Sequence, residues 1–593
     1  MRGRTAGLLV ALALVVGACG GSKATPPASG AATPHLSTAV PSASQPPVDI
    51  ADSAYQPSGA AKAPAPLVIG SYEHPGTGNP YYAQHNYDLQ FTASLFEGLV
   101  KVTPYLRYVP DLAETVPTIQ NGGVVMKGKG MDVTWTLRQN MAWSDGQMIT
   151  CDDLRATLSF VMNPNNALLT VGTAGWGDIT GIDGADWTCT VHFSTVYEGY
   201  LGLFSAVLPA HYLQIAAAKG EQPYAINTLT DGVYSGPYIP AAGASSTAIV
   251  LKPNPYWSTI SGHDPWLKSV TWKYYPNPAA LIKGYQNGEF ALGVGLDETS
   301  IPSLDTVPAG QVAVKDSLTY ELLAFNNTSL KTKFGSDAQV IVRALMMAID
   351  RDEIASGPLD GDVSVANDFV SSLSWFYRDP GGAAPADPTS AATILANAGW
   401  AKNSAGWLAK GPTTLELSFC TTIRQQRVDT LNMIAAQLKP LGIKVDVNAR
   451  PNSDVFGGWA TASTTPCNLV HGNFDVAEFS YISPVDPLAG YNAYVSTQTP
   501  ADSVGHAGQN VTGVSIADID RAYDTIRTTA DMSAVRDAMD TLQQVYGSDR
   551  NTYELPLYFR KDVWLVKPTL QNFLGGPTLS GAGWNMGDWW LSA

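Results

Sequence analysis

The chain has 593 residues, of which 45% are hydrophobic and 15% charged, with a formal net charge of −16. That length holds two or three domains, each large enough for its own core. The acidic balance leaves no basic face of the kind nucleic-acid binding needs, and beyond the N-terminus no apolar run approaches the roughly 20 residues of a membrane-spanning helix.

Arg2 and Arg4 precede an apolar run over residues 8–16, which Val16-Gly17-Ala18-Cys19 closes. A charged start, a short apolar stretch and small residues before the cut form a secretory signal rather than a span. The cysteine at the cut resembles the lipobox of bacterial lipoproteins. Residues 1–18 are then removed and Cys19 carries diacylglycerol. Each buried CH₂ of an acyl chain contributes about 0.8 kcal/mol, so two or three chains anchor a protein stably. Residues 19–65 are rich in Ala, Ser, Thr, Pro and Gly. Such a composition buries little and reads as a disordered tether.

Folded structure is expected to begin with a short strand at Leu67-Val68-Ile69. Val133, Trp135 and Leu137 alternate on one side of a half-buried strand. Trp143-Ser144-Asp145-Gly146 is a turn, and Thr150-Cys151-Asp152-Asp153 has the form of a capping box that opens a helix ending near Asn163-Pro164. Residues 270–273, 279–286 and 291–294 read as strand, helix and strand, a βαβ pattern. Val340, Ile341, Ala344, Leu345, Ala348 and Ile349 form one helical stripe. Leu415, Leu417 and Phe419 alternate as a strand, residues 427–438 form a helix, and Ile443, Val445 and Val447 form another strand. Strands and helices mixed along the whole length predict an α/β architecture.

Four cysteines remain after Cys19, namely Cys151, Cys189, Cys420 and Cys467. Outside the cell an even number points to disulfides, and four allow three pairings. The chain has no G-x-S-x-G elbow, no H-E-x-x-H and no P-loop, and no two of its eight histidines stand at i, i+4. The reading is therefore not of an enzyme, with no metal site and no cofactor.

The order of many weak motifs carries more. SLFEGLV (94–100) is followed by VPDLAE (109–114), TWTLRQNMAWSDGQMITCDDL (134–154), SGPY (235–238), NPYW (254–257) and QNGE (286–289). Then come FNN (325–327), VRALMMAIDRDEI (342–354), ANAGW (396–400) and LKPLGIKVDV (438–447). The series resembles the family 5 extracellular solute-binding proteins, receptors of peptide and nickel ABC importers. The resemblance implies a periplasmic-binding-protein-like fold of type II, a hinged clamp of two lobes with an extra subdomain in lobe I. It places lobe I at 66–318, with its subdomain at 111–230, lobe II at 319–555, and a return to lobe I at 556–593. The chain crossings fall near residues 318–327 and 553–559. With those lobes, the pairings Cys151–Cys189 and Cys420–Cys467 are favoured, because each stays within one lobe.

The resemblance also directs attention to inter-lobe loops. Asn79, Tyr81 and Tyr82 lie in HPGTGNPYYA after the first strand, and Trp375 lies in SSLSWFYRD of lobe II. Tyr481 and Asp486 lie in FSYISPVDP (479–487), the loop in which peptide-binding members pair an Asp with the ligand's α-ammonium. Here that position reads Ser483 or Pro484, and Asp486 corresponds to the acidic residue before Pro. A Trp common after the preceding strand is absent, with Trp459 nearby, and Trp584 completes the aromatic supply. The implied function is a lipid-anchored, monomeric, extracytoplasmic receptor that captures a small solute, an oligopeptide first, and passes it to ABC permease subunits. The alternatives are a sensor or envelope-assembly scaffold on the same fold, and a receptor for a metal chelate or oligosaccharide.

Overall fold

The computed structural model describes residues 50, 57, 64–83, 85–166, 175–359, 361–379, 385–548, 550–578 and 581–592. Cys19 and the preceding apolar run lie outside the described residues. Among the described residues no helix is long and apolar enough to cross a membrane.

Strand β1 (Pro66–Ser71) opens the body, with Leu67 and Ile69 fully buried. A Cβ on Gly70 would stand 2.7 Å from Leu281 and Phe290, so only glycine lets the helix above β1 pack this closely. Helix α1 (Asn86–Thr92) follows, its entry held by the His85 amide donating to Asp88 Oδ2 at 3.0 Å. A separate antiparallel sheet comes next. It contains β2 (Val124–Lys127), β3 (Gly130–Thr136), β4 (Ile179–Asp183) and β5 (Thr188–Phe193), in the order β2-β3-β5-β4. Helix α2 (Cys151–Val161) packs on it through the expected capping box: the Thr150 hydroxyl accepts the Asp152 amide, and the Thr150 amide donates to Asp153 Oδ2 at 2.9 Å. Cys151 is bonded to Cys189 of β5.

The chain then returns to β1. Strands β6 (Tyr238–Pro240) and β7 (Ala248–Pro253) lead into β8 (Ser269–Tyr274), helix α3 (Pro278–Gln286) and β9 (Leu292–Asp297). The βαβ unit places β8 and β9 on either side of β1, all three parallel. Strand β10 (Val312–Phe325) crosses into the second half of the molecule. Helix α4 (Ala338–Ala348), β11 (Glu416–Thr422), α5 (Gln425–Leu438), β12 (Lys444–Arg450) and β13 (Val476–Ile482) follow. Here β11 lies between β12 and β13, again all parallel. On α4 the buried stripe contains Val342, while Val340 is partly exposed, since the helix turns that position off the core face. Cys420 of β11 is bonded to Cys467. Helices α6 (Ala517–Ile526) and α7 (Met532–Tyr546) pack together, and β14 (Glu554–Val566) crosses back.

All strands outside the small sheets join one 11-stranded sheet in the order β12-β11-β13-β10-β14-β9-β1-β8-β7-β6, with Ser364–Val365 beside β14. Its two halves, each with a parallel triplet, meet only through the antiparallel pair β10 and β14. That pair changes neighbours along its length. The Asp562–Val566 end of β14 lies against β9, and the Thr319–Phe325 end of β10 lies against β13. The β10–β14 register slips between Asp316 and Tyr320. A register slip twists and bends a ladder locally, and a few residues at an element boundary suffice as a hinge.

One contact precedes the expected start of structure. Ile50 is buried, and its carbonyl accepts the Tyr108 amide at 2.8 Å.

Candidate functional site

The register fixes where a ligand can lie. Asp297 at the end of β9 pairs with Asp562, and Ile482 at the end of β13 pairs with Thr319. The carboxyl ends of both parallel triplets therefore converge on the register slip, one from each half. Ligands of open α/β sheets bind in crevices outside carboxyl strand ends.

On the first half those ends carry Ser71, Tyr274 and Asp297, and all three line a hinge-side cavity of about 150 Å³. Its walls are aromatic, with Tyr72, Tyr87, Trp272 and Trp564, and its polar groups include Glu73, Asn86, Arg560 and Asp562. Burial, then the negative Asp297 and Asp88, push the Glu73 carboxyl up to about 7. Burial pushes Asp562 well above the carboxylate range, although Arg560 opposes it. Asp297 goes the other way. Burial raises it, but Arg560 and Arg424 hold it below its usual value.

Those two arginines join the halves. Arg560, 3% exposed, donates to Glu298 Oε1 at 3.0 Å and to Asp297 Oδ2 at 2.9 Å. Arg424 caps the start of α5 in the second half and reaches the same two carboxylates at 3.1 and 3.3 Å. Behind it, Arg427 grips Glu321 of β10 with two 3.0 Å bonds and also donates to Ser480. Planar two-pronged pairing of this kind is geometrically specific.

Farther from the hinge a larger cavity, about 1020 Å³, opens between the two halves. Tyr81, Lys129, Trp176 and Tyr197 line it from the first half, and Asp486, Tyr491 and Arg527 from the second. Its volume is in the range of small-molecule sites, roughly 300–1,000 Å³.

The residues singled out from the sequence distribute as follows. Tyr81 and Asp486 line the larger cavity together. Tyr81 is otherwise buried, its hydroxyl donating to the Ala206 carbonyl at 2.5 Å. Asp486 accepts the Leu488 amide at 2.8 Å and faces Glu198 across the gap; burial raises both carboxyls. Trp375 and Asp486 share a gap of only about 10 Å³ with Glu198. Tyr481 packs beside Phe479 and Tyr494 in the second half. Trp459 lies on the surface, stacked on His506 at 4.0 Å. Like Tyr481 and Trp459, Asn79, Tyr82 and Trp584 line none of these cavities. Asn79 is fully buried and caps a short turn by accepting the Tyr81 amide, Tyr82 packs on Phe160, and Trp584 donates to the Leu574 carbonyl. Their polar or aromatic groups are satisfied by the fold itself. The hinge-side residues Tyr72, Glu73, Trp272, Tyr274 and Asp562 were not singled out. The signal available was position, immediately at or after the ends of parallel strands.

Two sheet halves that share only two strands, with their strand ends facing across a gap, make a clamp that encloses a solute. The class is that of two-lobed solute-binding proteins. The sequence pattern of the bacterial extracellular solute-binding proteins, family 5 middle region, matches residues 107–502, and the chain belongs to that family. It therefore acts outside the cytoplasm as a transport binding protein. It is 22% identical over 458 residues to the oligopeptide-binding protein OppA of Mycobacterium tuberculosis, across 74% of this chain and 71% of that one. The structure of the oligopeptide-binding protein AppA from Bacillus subtilis with a nonapeptide shares its fold at TM-score 0.63 and 22% identity, covering 90% of this chain and 100% of that one. The periplasmic EDTA-binding protein EppA does so at TM-score 0.71 and 18% identity, covering 91% and 98%.

Proposed function

We propose that the chain is a lipid-anchored, monomeric receptor that encloses an oligopeptide between its lobes and delivers it to an ABC permease. The observation that carries this reading is the cavity of about 1020 Å³ walled by both sheet halves, with two crossing strands as its hinge. The relatives named as oligopeptide-binding support the choice of peptide. The anchor rests on Val16-Gly17-Ala18-Cys19. Main-chain hydrogen bonds and aromatic faces hold the ligand, and closure excludes water, so no covalent step is involved. The lobes follow the boundaries 66–318 with 556–593, and 319–555, and the subdomain 111–230 widens the cleft.

Native mass spectrometry of the full-length chain in detergent tests the reading. The expected result is an added mass of a peptide that disappears after unfolding and refolding, and a protein mass raised by acylation at Cys19. A bound metal chelate or sugar would redirect the substrate class. A ligand-free chain that shows no thermal shift with pooled peptides would overturn the receptor reading.

A further inference from the structure

The hinge-side cavity is unlike the rest of the cleft in what it leaves unpaired. Four buried polar atoms on its lining residues lack a hydrogen-bond partner: Asn86 Oδ1, Trp272 Nε1, Tyr274 Oη and Asp562 Oδ2. An unpaired buried polar group is destabilising. Several around one cavity are tolerated where a ligand supplies the missing partners. Asp562 is 8% exposed and Trp272 is 3% exposed, so bulk solvent does not supply those partners.

The charges facing the cavity decide what kind of ligand fits. Arg560 spends its Nε on Glu298 and one Nη on Asp297. Lys561 is turned toward Asp316 and Ser364, and His85 toward Asp88. The carboxyls of Glu73 and Asp562 are left without a dedicated cation. Around them stand the rings of Tyr72, Tyr87, Tyr274 and Trp564. Carboxylate plus aromatic faces is the pairing that attracts an ammonium or guanidinium group, by charge and by the ring quadrupole. The Trp272 N–H and the Tyr274 O–H are donors, suited to a carbonyl oxygen next to that cation. A volume of about 150 Å³ holds about five waters' worth of material, enough for a charged end group with its methylenes but not for a whole peptide.

We infer that this cavity is a subsite for a cationic group of the bound solute, held by Glu73 and Asp562, and that the protein prefers basic peptides. This deepens the peptide-receptor reading and rests on it. It also places the positive end of the ligand at the hinge, on the first sheet half. The loop at Ser483 and Pro484, which lacks an acidic side chain at those two positions, then has no ammonium to hold.

The test is calorimetric titration of the full-length chain in detergent with tetrapeptides of alanine carrying one lysine, no charge or one glutamate. Each is offered with a free and with an acetylated N-terminus. The expected result is binding about tenfold tighter for the lysine peptide than for its neutral counterpart, the order of one good ion–aromatic contact. Retention of that preference after acetylation assigns the subsite to the side chain, and a loss of affinity on acetylation shared by all three peptides assigns it to the terminal ammonium. Glu73→Gln and Asp562→Asn are each expected to lower lysine-peptide affinity about tenfold while neutral-peptide affinity holds, which also reports that the variants fold. Equal affinity for lysine, neutral and glutamate peptides that acetylation leaves unchanged would overturn the cationic subsite and leave the receptor reading standing. So would variants that weaken all peptides alike. Failure of every peptide to bind would overturn the receptor reading and this inference with it.

Discussion

The two halves of the large sheet repeat one construction and use it in opposite ways. In each, a central strand lies between two parallel neighbours, β1 between β8 and β9, and β11 between β12 and β13. At the strand ends of the first half, Trp272, Tyr274 and Asp562 keep polar atoms without partners. At those of the second half the polar groups are largely spent on one another. Arg427 holds Glu321, Thr422 and Ser480 there, and even at the opposite, amino end of β13 Asp475 takes Ser329, Lys333 and the Ser418 amide. Exceptions remain there. Arg450 Nε at the end of β12, Thr319 Oγ1 opposite Ile482 and Tyr558 Oη of β14 lack partners, as do both oxygens of Glu478, whose carboxyl burial, then the nearby Glu321, push well above the usual range. The difference is that the first half's unpaired atoms line one cavity, while the second half closes against it through Arg424.

The largest effect is expected where the second half is most tightly locked. Arg427→Met leaves Glu321, 1% exposed, as an uncompensated buried charge. Breaking a buried pair in this way costs about 3–5 kcal/mol, to be read from denaturant unfolding. A loss under about 1 kcal/mol would break the contrast between the halves. Next comes the disulfide within that half. The double substitution Cys420→Ala and Cys467→Ala opens a loop of separation 47, and a cost of about 3 kcal/mol is expected in the same assay. An unchanged midpoint would show that packing alone secures the edge of that half.

The third prediction concerns pH and sharpens the first half's role. Glu73 faces Asp297 from β9, Asp88 and Tyr87 from α1, Tyr72 beside it, and the Arg560–Asp562 end of β14. Its carboxyl is raised to about 7, so below that pH it is largely protonated and must lose its proton before pairing with a cation. The Glu73 share of the affinity for a lysine peptide therefore rises with pH, by at most about tenfold per unit, and is complete above about 7, while Asp562, raised by burial, extends the rise to higher pH. The same group gains a proton on folding. Its contribution to stability is thus complete below about 4.5 and is lost as pH rises through about 7. Glu73→Gln should remove the share of both slopes that centres near 7, and an unchanged affinity slope below about 7 in that variant would transfer the role to another group. The smallest effect is expected at Arg424, whose side chain is 30% exposed. Arg424→Ala should cost no more than about 1 kcal/mol of stability. It should nonetheless enlarge the radius of gyration seen by small-angle scattering, by releasing one tie between the halves. An unchanged profile would mean that the register slip alone sets the angle.

The helix entry at Thr150, the βαβ unit around residues 270–294 and the alternating strands of both halves were legible in the sequence. Each rests on interactions among residues a few positions apart, a capping hydroxyl or an apolar period, which survive without knowledge of the fold. The ordered motifs also carried the clamp, because their spacing reflects the whole chain. The cavity walls were legible only in part. Tyr81 and Asp486 reach a shared cavity, while Asn79, Tyr82 and Trp584 were drawn from the same kinds of segment and are spent inside the fold. An aromatic ring reads identically in sequence whether it packs against Phe160 or against a ligand.

The set of elements, their alternation and the family they form follow from local sequence pattern. Which polar groups go unpaired follows from the packing of distant segments. Glu73, Trp272 and Asp562 are separated by hundreds of positions, and they meet because β1, β8 and β14 are brought to one edge of one sheet. Whether a buried carboxyl finds a guanidinium or an empty cavity depends on distances of a few ångströms between distant segments, and no local pattern encodes those.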